Sequence, residues 1–301
     1  MKFSNAKEFL NMEYKAITLI GMSGIGKSFY STLLEQYGWY AYSADVRIGS
    51  HYLGELMLDD VRGAAADVPY LRDLLKSKAI DFRNQININN LELLAKFIGK
   101  VGNPEQGGRS LDEFMYRQDL YRDAEIKSMI EIPAFMNRAQ EFYGRQNFIN
   151  DTAGSLCELD SAEMIKILND NTVIIYIRAT KEDEQELINR AIQYPKPLLY
   201  NKTFFFEVLK DYMGEKDISE VRDIDPDDFS RAIFPRLFYS RLPKYETMAA
   251  RYGYTVSVND MRGINTEQDF LELIAEAIDN DPGTPEKIYD TKDIKANTGL
   301  D

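Results

Sequence analysis

Histidine and cysteine are almost missing from this chain. Its 301 residues hold one of each, His51 and Cys157. No disulfide framework can form within it, so a reducing, cytoplasmic setting is expected. A histidine pair, a Ser-His-Asp triad or a His/Cys zinc site has next to nothing to be built from. Cys157 reads as a small buried residue, and His51 as an ordinary surface or core histidine. No apolar run approaches the length of a membrane span, so no membrane partner is expected. The first residues, Met1 to Lys7, lack the apolar stretch and small-residue cleavage site of a signal peptide. Basic residues are in short supply: 36 Lys and Arg face 49 Asp and Glu, a net charge of −13. Nucleic-acid binding is driven by neutralising phosphates, so this balance argues against it.

What is present is an ordinary globular composition, 44% hydrophobic and 28% charged. The length allows one large domain or two small ones. Within it, Gly21-Met22-Ser23-Gly24-Ile25-Gly26-Lys27-Ser28 fits G-x-x-x-x-G-K-[ST], the phosphate-binding P-loop. Ala16–Ile20 before it is a short, β-branched apolar run that reads as a buried strand. Ser28 to Tyr37 after it reads as a helix. The chemistry needs this order. Glycines let backbone N–H groups turn around a phosphate, and the helix dipole favours its charge. Lys27 can reach the terminal phosphates, and the Ser28 hydroxyl can hold Mg²⁺. Gly21, Ser23, Gly24, Ile25, Gly26, Lys27 and Ser28 are therefore the expected ATP-binding residues.

Four further runs read as strands: Trp39–Ala44, Asn147–Asp151, Val173–Ile177 and Tyr254–Val258. Helical stretches separate them, which predicts a parallel sheet covered by helices. From about residue 49 to 145 the rhythm changes to helix throughout, an expected helical insertion. In it Ser110-Leu111-Asp112-Glu113 spells a capping box, and Leu91, Leu93, Leu94, Phe97 and Ile98 mark another helix face. Residues 102–108 read as a loop. After the fourth strand, about Lys181 to Arg241 reads as a mobile lid region broken by Pro195, Pro197, Pro226, Pro235 and Pro243. The expected organisation is one domain over 1–280, with its core at 14–48 and 146–280. A flexible polar tail is expected over 281–301.

In open parallel sheets ligands bind at the carboxyl ends of the strands. Asp45 follows the second strand, where a carboxylate can take a proton from an attacking hydroxyl or help order Mg²⁺. Arg47, two residues on, can clamp an anionic group. Asp151 ends the third strand and is the expected partner of Ser28 on the metal. Gly154 lets the backbone approach a substrate closely. Arg190 and Lys196, beside the Pro-rich break, are the cations a closing lid would bring to the phosphates.

In these motifs the chain resembles the shikimate-kinase-like branch of the P-loop kinases. The P-loop aligns directly. Ser43-Ala44-Asp45 resembles that family's Asp-x-Asp segment, which implies that Asp45 orients the acceptor hydroxyl. Ser43 stands where the family has its Mg²⁺-ordering aspartate, a departure that moves the metal role toward Ser28 and Asp151. Asp151-Thr152-Ala153-Gly154 falls on the family's glycine run at the acceptor site. Pro195-Lys196-Pro197-Leu198-Leu199 resembles the Arg-Pro-Leu-Leu lid motif, with lysine for arginine. Arg241-Leu242-Pro243-Lys244-Tyr245 resembles the Arg-x-x-Tyr helix whose arginine holds the acceptor's anionic group, so Arg241 inherits that role. The chain is also similar to bacterial proteins of about this length described only as ATPases or P-loop proteins.

The expectation is an α/β P-loop fold with five parallel strands in the order 2-3-1-4-5, helices on both faces, an insertion and a lid. The expected activity is transfer of the ATP γ-phosphoryl group, with Mg²⁺, to a hydroxyl of a small-molecule acceptor, with an anionic group on that acceptor left open. Lys27, Asp45, Lys196 and Arg190 are the expected catalytic residues. Arg47, Gly154 and Arg241 are the expected acceptor contacts. Two rivals remain. Asp-x-x-Gly at 151–154 and Thr-Lys-x-Asp at 180–183 also spell GTPase motifs, although their spacing leaves too few elements between them. A regulatory nucleotide-binding module with slow hydrolysis is the other.

Overall fold

The computed structural model describes residues 1–281. From residue 282 on, the tail expected over 281–301 lies outside the described residues. After a short helix α1 (Ala6–Leu10), strand β1 (Ala16–Ile20) enters the P-loop and helix α2 (Lys27–Gln36) leaves it. Strand β2 (Tyr40–Ser43) leads into α3 (Ala44–Arg47) and a π-helical turn, Ile48–Tyr52. The inserted helices follow: α4 (Gly54–Ala66), α5 (Pro69–Lys76), α6 (Glu92–Ile98), α7 (Leu111–Ile130) and α8 (Ile132–Glu141). Strand β3 (Phe148–Asp151), α9 (Ala162–Asn171) and β4 (Val173–Arg178) return to the core. Then come α10 (Lys181–Gln193), α11 (Lys202–Glu215), α12 (Pro226–Tyr252), strand β5 (Gly253–Ser257), α13 (Val258–Met261) and α14 (Glu267–Asp279).

The five strands form one parallel sheet in the order β2-β3-β1-β4-β5, as the sequence predicts. β1 lies at its centre and all five of its residues are buried, which is why it reads as an unbroken apolar run. Pairing sets Ser43 and Leu19 beside Asp151. A parallel sheet puts every strand's carboxyl end on one edge, so the P-loop, Asp45 and the loop after Asp151 converge there.

The region 49–145 is mainly helical, but 77–91 is irregular between α5 and α6. Ser110 caps α7, its hydroxyl accepting from the Glu113 amide at 3.4 Å. The reciprocal half of the box is not made, because the Glu113 carboxylate pairs with Arg117 instead.

Two of the expected breakers break nothing. Pro235 and Pro243 lie inside α12, a 27-residue helix. Each removes only one backbone donor. Phe238, Tyr245 and Ala249 of the same helix are buried in the main core, with the Tyr245 ring stacked on Tyr176 at 5.5 Å. Burial of that face outweighs the lost hydrogen bonds. A second apolar cluster joins Phe114 of α7, Phe205 and Tyr212 of α11, and Phe229 and Leu237 of α12. The segments expected as insertion and lid therefore share one core.

Candidate active site

The loop between β1 and α2 has the backbone its glycines permit. Gly24 and Gly26 have φ of +84° and +109°, a region side chains other than hydrogen rarely occupy. Lys27 is buried, and its Nζ donates to the carbonyls of Gly21 (2.8 Å) and Met22 (3.1 Å). Burial pulls its ammonium below the usual lysine range, and the charges of Asp151, Asp45 and Glu125 oppose that pull.

Asp151 closes β3 directly beside the helix start. The Ser28 hydroxyl donates to its Oδ2 at 2.5 Å. Burial pushes the Asp151 carboxyl up to about 6, against Lys27 and Ser28, which favour its ionised form. Beyond it, the Thr152 hydroxyl donates to the Leu19 carbonyl at 2.7 Å and pins the loop to β1. Gly154 then lies on the P-loop itself: a Cβ there would come 2.6 Å from the Ser23 amide nitrogen. No other residue fits without moving one loop or the other.

Asp45 sits in the first turn of α3, with the Ser43 hydroxyl accepting from the Val46 amide as its cap. The Tyr121 hydroxyl of α7 donates to Asp45 Oδ1 at 2.8 Å. Burial raises the Asp45 carboxyl above its ordinary range, while Tyr121 and Lys27 hold it down. One turn further along α7, Glu125 is completely buried. Its Oε2 accepts from the Ser155 hydroxyl at 2.7 Å, and its Oε1 has no partner. Burial pushes this carboxyl up to about 8, Ser155 opposing and Asp45 adding to the rise.

A cavity of about 970 Å³ opens beside these groups. Ser23 of the P-loop, Asp45, Tyr121, Gly154 and Ser155 line it, together with α6, the 195–199 segment and residues of the 88–91, 99–107 and 226–227 stretches. On the other side of the P-loop a smaller cavity, about 240 Å³, is walled by Gly24, Gly26, Tyr30, Leu187, Arg190 and Arg262. The P-loop thus stands between two spaces.

The expected site residues separate into those that meet at this edge and those that do not. The seven P-loop residues, Asp45, Asp151 and Gly154 meet. Lys196 is exposed on the wall of the large cavity. Arg190 approaches the P-loop from the other side, its Nη1 3.6 Å from where a Cβ on Gly24 would stand. Arg47 is not on the cavity wall. Its Nε and Nη2 donate to the Glu131 carboxylate at 2.6 and 2.9 Å, and its plane lies over Phe135. Glu131 thus engages two of its five N–H donors, and the acceptor clamp remains an expectation. Arg241 does line the cavity but is buried, with three of its five N–H donors engaged. It donates to Glu158 Oε1 (3.1 Å), the Gly154 carbonyl (2.9 Å) and the Leu199 carbonyl (2.6 Å). It bridges the Gly154 loop and the 195–199 segment, and the expected acceptor contact is neither made nor barred by these bonds.

Tyr121, Glu125 and Ser155 were not foreseen. The signal available for the first two was polar residues on an otherwise apolar stripe: Phe114, Gln118, Tyr121, Glu125 and Ser128 share the buried face of α7. Arg262, paired with Asp183 beside the small cavity, carried no such signal.

The strand order, the glycine backbone and the Lys27–Ser28–Asp151 grouping define a P-loop kinase-like fold. No protein-family model matches the chain, and no curated protein does. Among solved structures, a shikimate kinase from Bacteroides thetaiotaomicron is similar at 12% identity, covering 87% of this chain and 94% of its own, with a TM-score of 0.39. The fold assignment rests on the chain's own topology. No helix among the described residues is long and apolar enough to cross a membrane.

Proposed function

We propose that the protein transfers the γ-phosphoryl group of ATP to a hydroxyl of a small-molecule acceptor. The observation that carries this reading is the cavity of about 970 Å³ running from Ser23 past Asp45. Hydrolysis needs room for a water; this space holds a second substrate next to the phosphates. The nucleoside would lie on the opposite side of the P-loop, toward Tyr30 and Arg190.

Ser28 and Asp151 present a hydroxyl and a carboxylate side by side, hard oxygen donors of the kind Mg²⁺ takes. When bound, Mg²⁺ neutralises charge on the β- and γ-phosphates. Lys27 and the loop amides hold the transferring group, and Arg190 adds positive charge beside Gly24. The acceptor oxygen forms its bond to the γ-phosphorus as the bond to the β–γ bridging oxygen breaks, and ADP leaves. The hydroxyl proton passes to Asp45. A carboxylate raised by burial is a better base than one in water, and the Tyr121 hydroxyl steadies its orientation.

The GTPase reading is disfavoured by Asp183. Its carboxylate closes a capping box with Thr180 and is ion-paired with Arg262, which leaves it little to offer a guanine edge. The test is thermal unfolding with Mg²⁺ and a non-hydrolysable ATP analogue, with and without candidate acceptors. A ligand that binds only the folded state raises the melting temperature by mass action. Stabilisation by the analogue and a further rise with an acceptor support the proposal. No response to ATP analogues would end it.

A further inference from the structure

The large cavity has two chemically different ends. Its P-loop end is polar, with Ser23, Asp45 and Ser155 on the wall. The rest of the wall is mixed and mainly apolar: Leu94, Ile98, Pro195 and Pro197 stand beside the polar Asn89 and Gln106. The charges farther out cancel. Lys100 is paired with Asp227, and Lys96 with Glu92 at 3.1 Å. Arg241 is ion-paired with Glu158 and also bonds two backbone carbonyls. Among the described residues, Lys196 is the one cation of this wall with no ion-pair partner.

A sugar or polyol carries hydroxyls all round. Set against Leu94, Ile98 and the prolines, those hydroxyls would lose water for no partner, and Asn89 and Gln106 could serve only a few of them, which is costly. An apolar frame gains on the same surface. The volume, about 970 Å³, is at the upper end of sites that enclose a drug-sized ligand and far exceeds what a small polyol fills. From this wall chemistry, and resting on the phosphotransferase reading above, we infer that the acceptor is an alcohol whose hydroxyl is carried on an extended aliphatic or aromatic frame. Its hydroxyl lies at Asp45, its frame runs along α6 and the 195–199 segment, and at most one anionic group reaches Lys196.

The experiment measures ADP formation by the full-length protein with ATP and Mg²⁺. One panel is the n-alkanols from butanol to octanol with 3-phenylpropanol; the other is glycerol, glucose and myo-inositol. Each is also tested for thermal stabilisation with the non-hydrolysable ATP analogue. The apolar alcohols should raise ADP formation over the acceptor-free rate. Along the alkanols the half-saturating concentration should fall roughly fourfold per added CH₂. Leu94→Trp, which fills the apolar half, should lose this stimulation, its folding checked by thermal unfolding. Stimulation by polyols alone overturns the inference and leaves the phosphotransferase reading standing. The same follows from a flat alkanol series, or from a folded Leu94→Trp that keeps the full response. No stimulation and no stabilisation by either panel overturns both.

Discussion

Gly154 and Ser23 are in contact: a Cβ on the glycine would stand 2.6 Å from the serine's amide nitrogen. The loop that carries Asp151 out of β3 is therefore packed on the P-loop. The Asp151 carboxylate and the P-loop backbone are held together by this contact. Arg241 extends the same contact outward, since it also bonds the Gly154 carbonyl.

Gly154→Ala should therefore act on the P-loop and not only on local packing. Overpacking of this kind costs about 1–3 kcal/mol. We expect nucleotide affinity to fall roughly tenfold while the protein stays folded, read by calorimetric titration with the ATP analogue. Unchanged affinity would show that the two loops are uncoupled.

Glu125 should impose a pH dependence on stability. Its carboxyl is raised by burial from 4.5 to about 8 in the folded protein. The folded state thus holds a proton that the unfolded state gives up from about pH 4.5. Its contribution is complete below that pH and is lost as pH rises through about 8. Glu125→Gln mimics the protonated acid. Denaturation curves should show the variant gaining on the wild type by a few kcal/mol between those limits. A constant difference across that range would mean the carboxyl is ionised when buried.

Arg241 should behave as a strut. Removing one partner of a buried ion pair costs about 3–5 kcal/mol. Arg241→Gln should accordingly lower unfolding stability by that order, and the loss should appear without any acceptor present. A variant of wild-type stability that has lost only acceptor affinity would return the residue to the ligand-binding role.

Asp183 should matter for the helix it caps. Asp183→Ala removes half a capping box and the pair with Arg262. About 1 kcal/mol of stability should go, with the ratio of ATP to GTP affinity unchanged. A selective loss of GTP binding would revive the GTPase reading.

The strands were legible because their signals are local, and their order followed from the resemblance that the P-loop carries. Each strand is a short apolar run, and the P-loop carries its own backbone instructions in Gly24 and Gly26. Strand limits moved by a residue or so, as at β5, which starts at Gly253. What was not legible depends on distant partners. Arg47 looks like an unpaired anion clamp until Glu131, 84 residues on, is seen to pair with it. Arg241 is likewise paired with Glu158, 83 residues back. Pro235 and Pro243 look like breakers until the core beneath α12 is known. Tyr121 and Glu125 sit on a helix whose buried side only the assembled fold reveals.

The most direct test follows a labelled γ-phosphoryl group from ATP, with a pooled small-molecule extract as acceptor, in the wild type and in Asp45→Asn. The wild type should pass the label to an organic phosphate monoester. Asp45→Asn should do so about a hundredfold more slowly, the scale of a lost general base, with ATP affinity changed by no more than a few fold. Label appearing only as inorganic phosphate, at the same rate in both proteins, would contradict the account.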